Sequence, residues 1–182
     1  DHRSGHATVL NSLGLRMAGI TVETPDPVEG VIERDSTGEP TGVLFEMSAF
    51  LSHRVENGRT RNKMQQGVTE ANRLLLSYGI TSLQDAGPGN GLERWQAFRE
   101  LIDSGKIQPR VTMMAGSGRL KDLIEAGFSF GSGDANLRLG HVKIMLTMTT
   151  SALNPSLEEL RDIATGASQV GFPVAVHCVE QE

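Results

Sequence analysis

Apolar positions along the chain change period several times, and each change marks an element. From residue 80 onward, short apolar runs alternate with stretches of helical periodicity. The runs are Ile80–Asp85, Pro109–Ala115, Leu139–Leu146 and Pro173–Val179. They begin roughly 30 residues apart, the length of one βαβ unit. Around them, Met64, Val68, Ala71, Leu75 and Tyr78 recur at spacings of three and four. Leu92, Trp95, Phe98 and Ile102 form a second such stripe, and Leu157, Leu160, Ala164, Ala167 and Val170 a third. These spacings predict helices that each bury one face. The runs VTMMA, VKIML and PVAV are almost uninterrupted by polar residues, as strands of a parallel sheet covered on both faces must be. The pattern predicts an α/β fold with about four parallel strands.

Turn residues agree with the periodicity. Gly79, Gly105, Gly127 and Gly171 each follow a helical stretch, where a left-handed residue ends a helix. Ser156 and Glu159 read as a capping box, and Pro109 and Pro173 open strands, where a missing backbone donor is tolerated. Residues 1–58 break the rhythm. Ala7–Gly19 reads as a short helix closed by Gly19. Gly30–Glu46 reads as a β-hairpin in which Val31 and Ile32 enter, Ser36–Gly38 turn and Val43–Phe45 return. The expected division is therefore 1–58, an excursion carrying helix and hairpin, and 59–182, the βα repeat.

Composition narrows the function classes. The 182 residues suit one ordinary domain, and 38% hydrophobic residues with a net charge of −5 argue against disorder. No dense Lys/Arg face is visible, so nucleic acid is not an expected partner. One cysteine excludes an internal disulfide framework. No apolar run approaches the ~18 residues of a membrane span, and the expected location is the cytoplasm. The chain opens at Asp1 with no Met and no leader, and reads as a trimmed piece or the ordered part of a longer protein.

In parallel α/β folds, ligands gather at the carboxyl ends of strands. Asp85 ends the first run, Lys143 lies within the third and His177 closes the fourth, so the three could converge on one mouth. Each also has a structural reading. Asp85 before Ala86-Gly87 can be a turn former. Lys143 can snorkel or pair with a carboxylate, and His177 can be a satisfied core imidazole. Cys178 reads as a small buried apolar residue, and His53 and His141 as structural or exposed. Arg59, Arg61 and Lys63 read as a solvated helix start. Phosphate-loop signals are weak. Gly116-Ser117-Gly118 lacks the third glycine of G-x-G-x-x-G, with Lys121 in its place, and Gly87, Gly89 and Gly91 fail at Leu92. The chain contains no H-x-H, no H-E-x-x-H and no nucleophile elbow.

Several segments resemble the amidohydrolase superfamily, specifically the amidohydrolase family 3 group that includes N-substituted formamide deformylases. Ser4-Gly5-His6-Ala7 with Asn11-Ser12 and Leu15 resembles its "GH…NS…L" segment. GVIERDSTGEPTG at Gly30–Gly42 resembles its G-x-I-x-R-D-x-x-G-x-P-T-G hairpin, the most specific match. GITSLQDAG at Gly79–Gly87, His141–Leu146 with Lys143, and Val174–His177 resemble three of its strands, in the right order.

The resemblance implies part of a (β/α)8 TIM barrel, about strands 2 to 5, with an N-terminal helix and hairpin excursion that lines the pocket. The family's H-x-H strand would precede Asp1, and a further histidine and the catalytic aspartate would follow Glu182. No catalytic residue would lie in this piece, which alone would be inactive. The implied activity is hydrolysis of a carbon–nitrogen bond in a small-molecule amide by water activated on one or two divalent ions, zinc being the expected metal. Lys143, as a carboxylated lysine, and His177 would be metal ligands, and His6 and Asp85 would bind substrate. An oligomer is compatible with this reading. Two rivals remain at this level: a self-contained α/β module binding a small anion or nucleotide through Gly116–Leu120, and a non-catalytic relative that kept the scaffold.

Overall fold

The computed structural model describes residues 2, 5–27, 30–55, 61–148 and 152–178. Their contacts gather into two units. One is Asp1–Arg59 with Thr147–Asn154, and the other is Thr60–Leu146 with Pro155–Gln181.

The first unit contains β1 (Ala7–Val9), α1 (Ser12–Ala18), β2 (Val31–Arg34), β3 (Pro40–Phe45) and α2 (Ser48–Val55). The strands form an antiparallel sheet in the order β1-β3-β2. Ala18, Ile20, Ile32, Leu44, Met47 and Leu51 fill its core. The hairpin forms as its sequence predicts. The Asp35 carboxylate accepts hydrogen bonds from Thr37 N, Thr37 Oγ1 and Glu39 N, which closes the turn. The Arg34 guanidinium donates to the carbonyls of Thr21, Val22, Thr24 and Gly38, tying the preceding loop to the hairpin. Gly42 sits at φ 97°, and a Cβ there would lie 2.2 Å from the Leu10 carbonyl oxygen. Only glycine allows that approach of β3 to the β1 end.

Ala7–Gly19 is not one helix. Ala7–Val9 is extended and pairs with Val43–Phe45. The helix starts after Asn11, whose side chain accepts from Gly14 N at 2.9 Å. The β-branched pair Thr8-Val9 suits the edge of β3 better than a helical turn.

The second unit contains α3 (Arg61–Ser77), β4 (Ser82–Asp85), α4 (Leu92–Asp103), β5 (Arg110–Gly116), a 3-10 turn (Ser117–Arg119), α5 (Leu120–Glu125), β6 (Leu137–Leu146), α6 (Leu157–Gln169) and β7 (Val174–Cys178). Its four strands are parallel and adjacent in chain order, β4-β5-β6-β7. Gly79, Gly105, Gly127 and Gly171 all take positive φ, and the Ser156–Glu159 capping box is present. One sheet face packs on helices through Trp95, Val111, Met113, Ala115, Leu123, Leu137, Leu139, Val142, Ala167 and Phe172.

Three expectations are corrected. The α3 stripe is not a buried face: Val68 and Leu75 are half-buried, but Ala71 is exposed and Tyr78 is 74% exposed. The side chain of Met64 lies outside the described residues. β7 is not covered on both faces, and Val176 is 43% exposed. Cys178 is exposed rather than buried, because no strand lies beyond β7 among the described residues. No described helix is long and apolar enough to cross a membrane.

Candidate functional site

The register of β6 and β7 decides where the candidate ligands point. Lys143 pairs with Ala175, and Met145 with His177. Paired residues on neighbouring strands share a face, and residues two apart along one strand share it too. Lys143 and His177 therefore lie on one face, about 8 Å apart between backbones by strand spacing and rise. Val142 and Val174 occupy the other face, in the helix-packed core.

Simple alternation would not have put Lys143 there. Leu137 and Leu139 are buried against the helices, and a regular strand would send 141 and 143 the same way. A register shift intervenes: Met113 pairs with Leu139, but Ala115 pairs with Val142. The extra residue, in the Gly140-His141 stretch, is a β-bulge that turns Lys143 to the face away from the helices. At Gly140 a Cβ would lie 2.8 Å from Thr112 Cγ2, so the bulge needs a residue without one.

Lys143 is 8% exposed. It makes no hydrogen bond or ion pair among the described residues, and its Nζ is not shut off from water, so the buried stem carries the amine to an open face. Beside it on β5, Gly116 faces the loop that leaves β4, and a Cβ there would meet the Pro88 carbonyl oxygen at 2.1 Å. Gly116 N donates to Asn90 O at 2.9 Å, and buried Asn90 donates from Nδ2 to Met114 O at 3.1 Å. The βα loop is thus held over the strand end next to Lys143. His177 is exposed on the open end of β7.

The other candidates lie elsewhere. Asp85 pairs with Met113, a core residue, and by register faces the helix side rather than the Lys143 side. Its Oδ1 accepts from Gly87 N at 2.9 Å and shapes the loop. His6 belongs to the first unit, where its Nδ1 lies 2.7 Å from Glu46 Oε1. Glu46 was missed in the sequence because the strand that places His6 opposite it was read as helix. His141 has a buried Nδ1 with no hydrogen-bond partner and packs edge-on against Phe130 at 5.7 Å between ring centroids. The side chains of His53, Arg61 and Lys63, and all of Ser4 and Arg59, lie outside the described residues.

Among the described residues no group of three or more His, Cys, Asp and Glu could hold a metal. A cavity of about 420 Å³ lies between α4 and the start of α5, lined by Gly89, Gly91, Arg94 and Arg119 among others. It contains neither Lys143 nor His177. Within Gly116–Leu120, the Gly116 amide is already bonded to Asn90 O.

Comparison with other proteins agrees with this parallel βα fold. The amidohydrolase family model matches residues 1–182, and the chain belongs to that family. It is 26% identical over 200 residues to N-substituted formamide deformylase of Arthrobacter pascens, covering 96% of this chain and 36% of that protein. It is 27% identical over 202 residues to Protein LONG AFTER FAR-RED 3 of Arabidopsis thaliana, covering 96% and 35%. A 76-residue stretch is 37% identical to the putative amidohydrolase YtcJ of Bacillus subtilis, covering 42% of this chain and 14% of that protein. In fold, the chain resembles the crystal structure of an uncharacterized metal-dependent hydrolase from Pyrococcus horikoshii, with a TM-score of 0.60 at 21% identity, covering 96% of this chain and 37% of that one. The chain thus spans about a third of the length of the relatives it matches end to end.

Proposed function

We propose that this chain is part of a metal-dependent hydrolase that cleaves a carbon–nitrogen bond of a small non-peptide amide with metal-activated water. The observation that carries this reading is Lys143: buried, without a partner among the described residues, and on the same face as His177. The names of the deformylase and of the Pyrococcus horikoshii hydrolase support it.

The donor chemistry fits part of a divalent centre. His177 offers an imidazole nitrogen. Lys143 as a free ammonium offers no ligand, but its neutral amine adds to CO₂, losing one proton and becoming an anionic carbamate with two donor oxygens. The remaining ligands and the catalytic aspartate belong to the complete protein. A bound divalent ion, zinc in this reading, lowers the pKa of water towards ~7 and polarises the amide carbonyl. The residues present hold their part of the site rigid: the bulge aims Lys143, and Asn90 fixes the loop beside it. His6 contacts substrate, and Asp85 shapes the β4–α4 loop.

The test uses the full-length gene product, stripped of metal by a chelator, restored with zinc, and assayed with N-substituted formamides and other small amides. Hydrolysis lost on stripping and regained on restoration is expected. A metal-free protein with no metal-stimulated hydrolysis overturns the reading.

A further inference from the structure

The cavity between α4 and the start of α5 has no part in the hydrolase reading. It lies where the loop leaving β4 meets the turn leaving β5, at the carboxyl ends of two neighbouring parallel strands, and α/β folds collect ligands at such ends. Its volume of about 420 Å³ is within the range of small-molecule sites. Glu93, Arg94, Arg119 and Asp122 all line it, and Leu92 adds an apolar surface. Gly91 shapes it. A Cβ there would lie 3.2 Å from Arg119 Cβ and 3.3 Å from Arg119 Cγ, so the missing side chain lets the arginine stem lie against the start of α4.

Two cations and two anions around one cavity ordinarily find one another. Arg119 and Asp122 are three apart at the start of α5, a spacing at which opposite charges pair on a helix. The same two helices do carry such pairs elsewhere, Arg99 with Asp103 and Lys121 with Glu125. Around the cavity, however, none of the four charged side chains makes an ion pair or a side-chain hydrogen bond among the described residues. Both signs of charge therefore stand unsatisfied around one space. A simple anion would meet two guanidiniums but also two carboxylates, and a simple cation would meet the reverse. A ligand that carries both signs matches both. We propose that this cavity binds a small zwitterion, an amino acid: Arg94 and Arg119 take its carboxylate, Glu93 and Asp122 its ammonium group, and Leu92 packs on the carbon frame. The site is separate from the Lys143–His177 face and does not depend on what reaction occurs there.

The test measures binding to the full-length protein, not turnover. The standard amino acids are screened one at a time for a rise in thermal unfolding temperature, and each that raises it is titrated by calorimetry, with acetate and methylammonium as single-charge probes. At least one amino acid should bind with a Kd of about 1 mM or below, and acetate and methylammonium should each bind about tenfold or more weakly. Arg119 and Asp122 are exposed, so their substitution leaves the core alone. Arg119→Gln and Asp122→Asn should each weaken the amino acid's binding about tenfold, with the fold intact by circular dichroism. Absence of binding by every amino acid up to about 10 mM overturns the proposal, as does binding that either substitution leaves untouched. Acetate that binds as tightly as the best amino acid also overturns it, because the cavity would then take a single anion.

Discussion

Lys143 is the residue whose chemistry and position are hardest to reconcile with a purely structural role. Its stem is buried, and its amine has no ion pair among the described residues. Lys143→Met should leave unfolding stability within about 0.5 kcal/mol in urea denaturation, while removing metal-dependent hydrolysis from the full-length protein. A loss of stability would mean the amine has a structural partner. The opposite case is Gly42, which belongs to the most specific motif in the sequence and has no role in chemistry. Gly42→Ala would place a Cβ against the Leu10 carbonyl and force φ 97° on a residue that resists it. The cost should be about 2 kcal/mol or more, read by thermal or urea unfolding. The oddity of Lys143 was legible in the sequence because a charge inside VKIML violates the apolar pattern. The His6–Glu46 pair was not, because it depends on a strand that Thr8 and Val9 form only when β3 is beside them.

At the level of elements, helix ends and parallel strands were legible because they rest on local chemistry: glycine at helix ends, the Ser156 capping box, and apolar runs. The bulge in β6 was not, since one extra residue leaves no mark in composition, yet it decides which face Lys143 occupies. Deleting Gly140 should restore plain alternation and drive Lys143 into the helix-packed core. The expected outcome is insoluble or unfolded protein, and a folded, soluble product would disprove the bulge's role. The α3 stripe shows the reverse failure: periodicity predicted burial, but burial depends on a neighbour that periodicity cannot supply. The loop entering β6 is held by Asp134, whose carboxylate accepts from Asn136 N and Leu137 N and pairs with Arg99. Those bonds, the backbone amides first, lower its pKa from 3.8 to about 2. A depressed carboxylate stabilises above its unfolded pKa and loses that contribution as pH falls through the folded value. The protection of the Asn136 and Leu137 amides, measured against their intrinsic exchange rates, should therefore fall between pH 4 and about 2, and Asp134→Asn should flatten that dependence.

At the scale of the molecule, the chain spans about a third of the relatives it matches end to end, and its described residues form two units. The parallel unit supplies Lys143 and His177 from adjacent strands, and the antiparallel unit supplies the Glu46–His6 pair. Family membership was legible because the hairpin and strand motifs keep their order along the chain. Of the motif residues whose contacts are visible, Asn11, Arg34, Asp35 and Gly42 build the fold, so resemblance alone could not say which residues act on substrate. The most direct test of the central claim is the metal content of the full-length protein by inductively coupled plasma mass spectrometry, for wild type, Lys143→Met and His177→Asn purified in parallel. The account predicts bound divalent metal in wild type and a clear loss of it in both folded variants. Equal metal content in all three would contradict it.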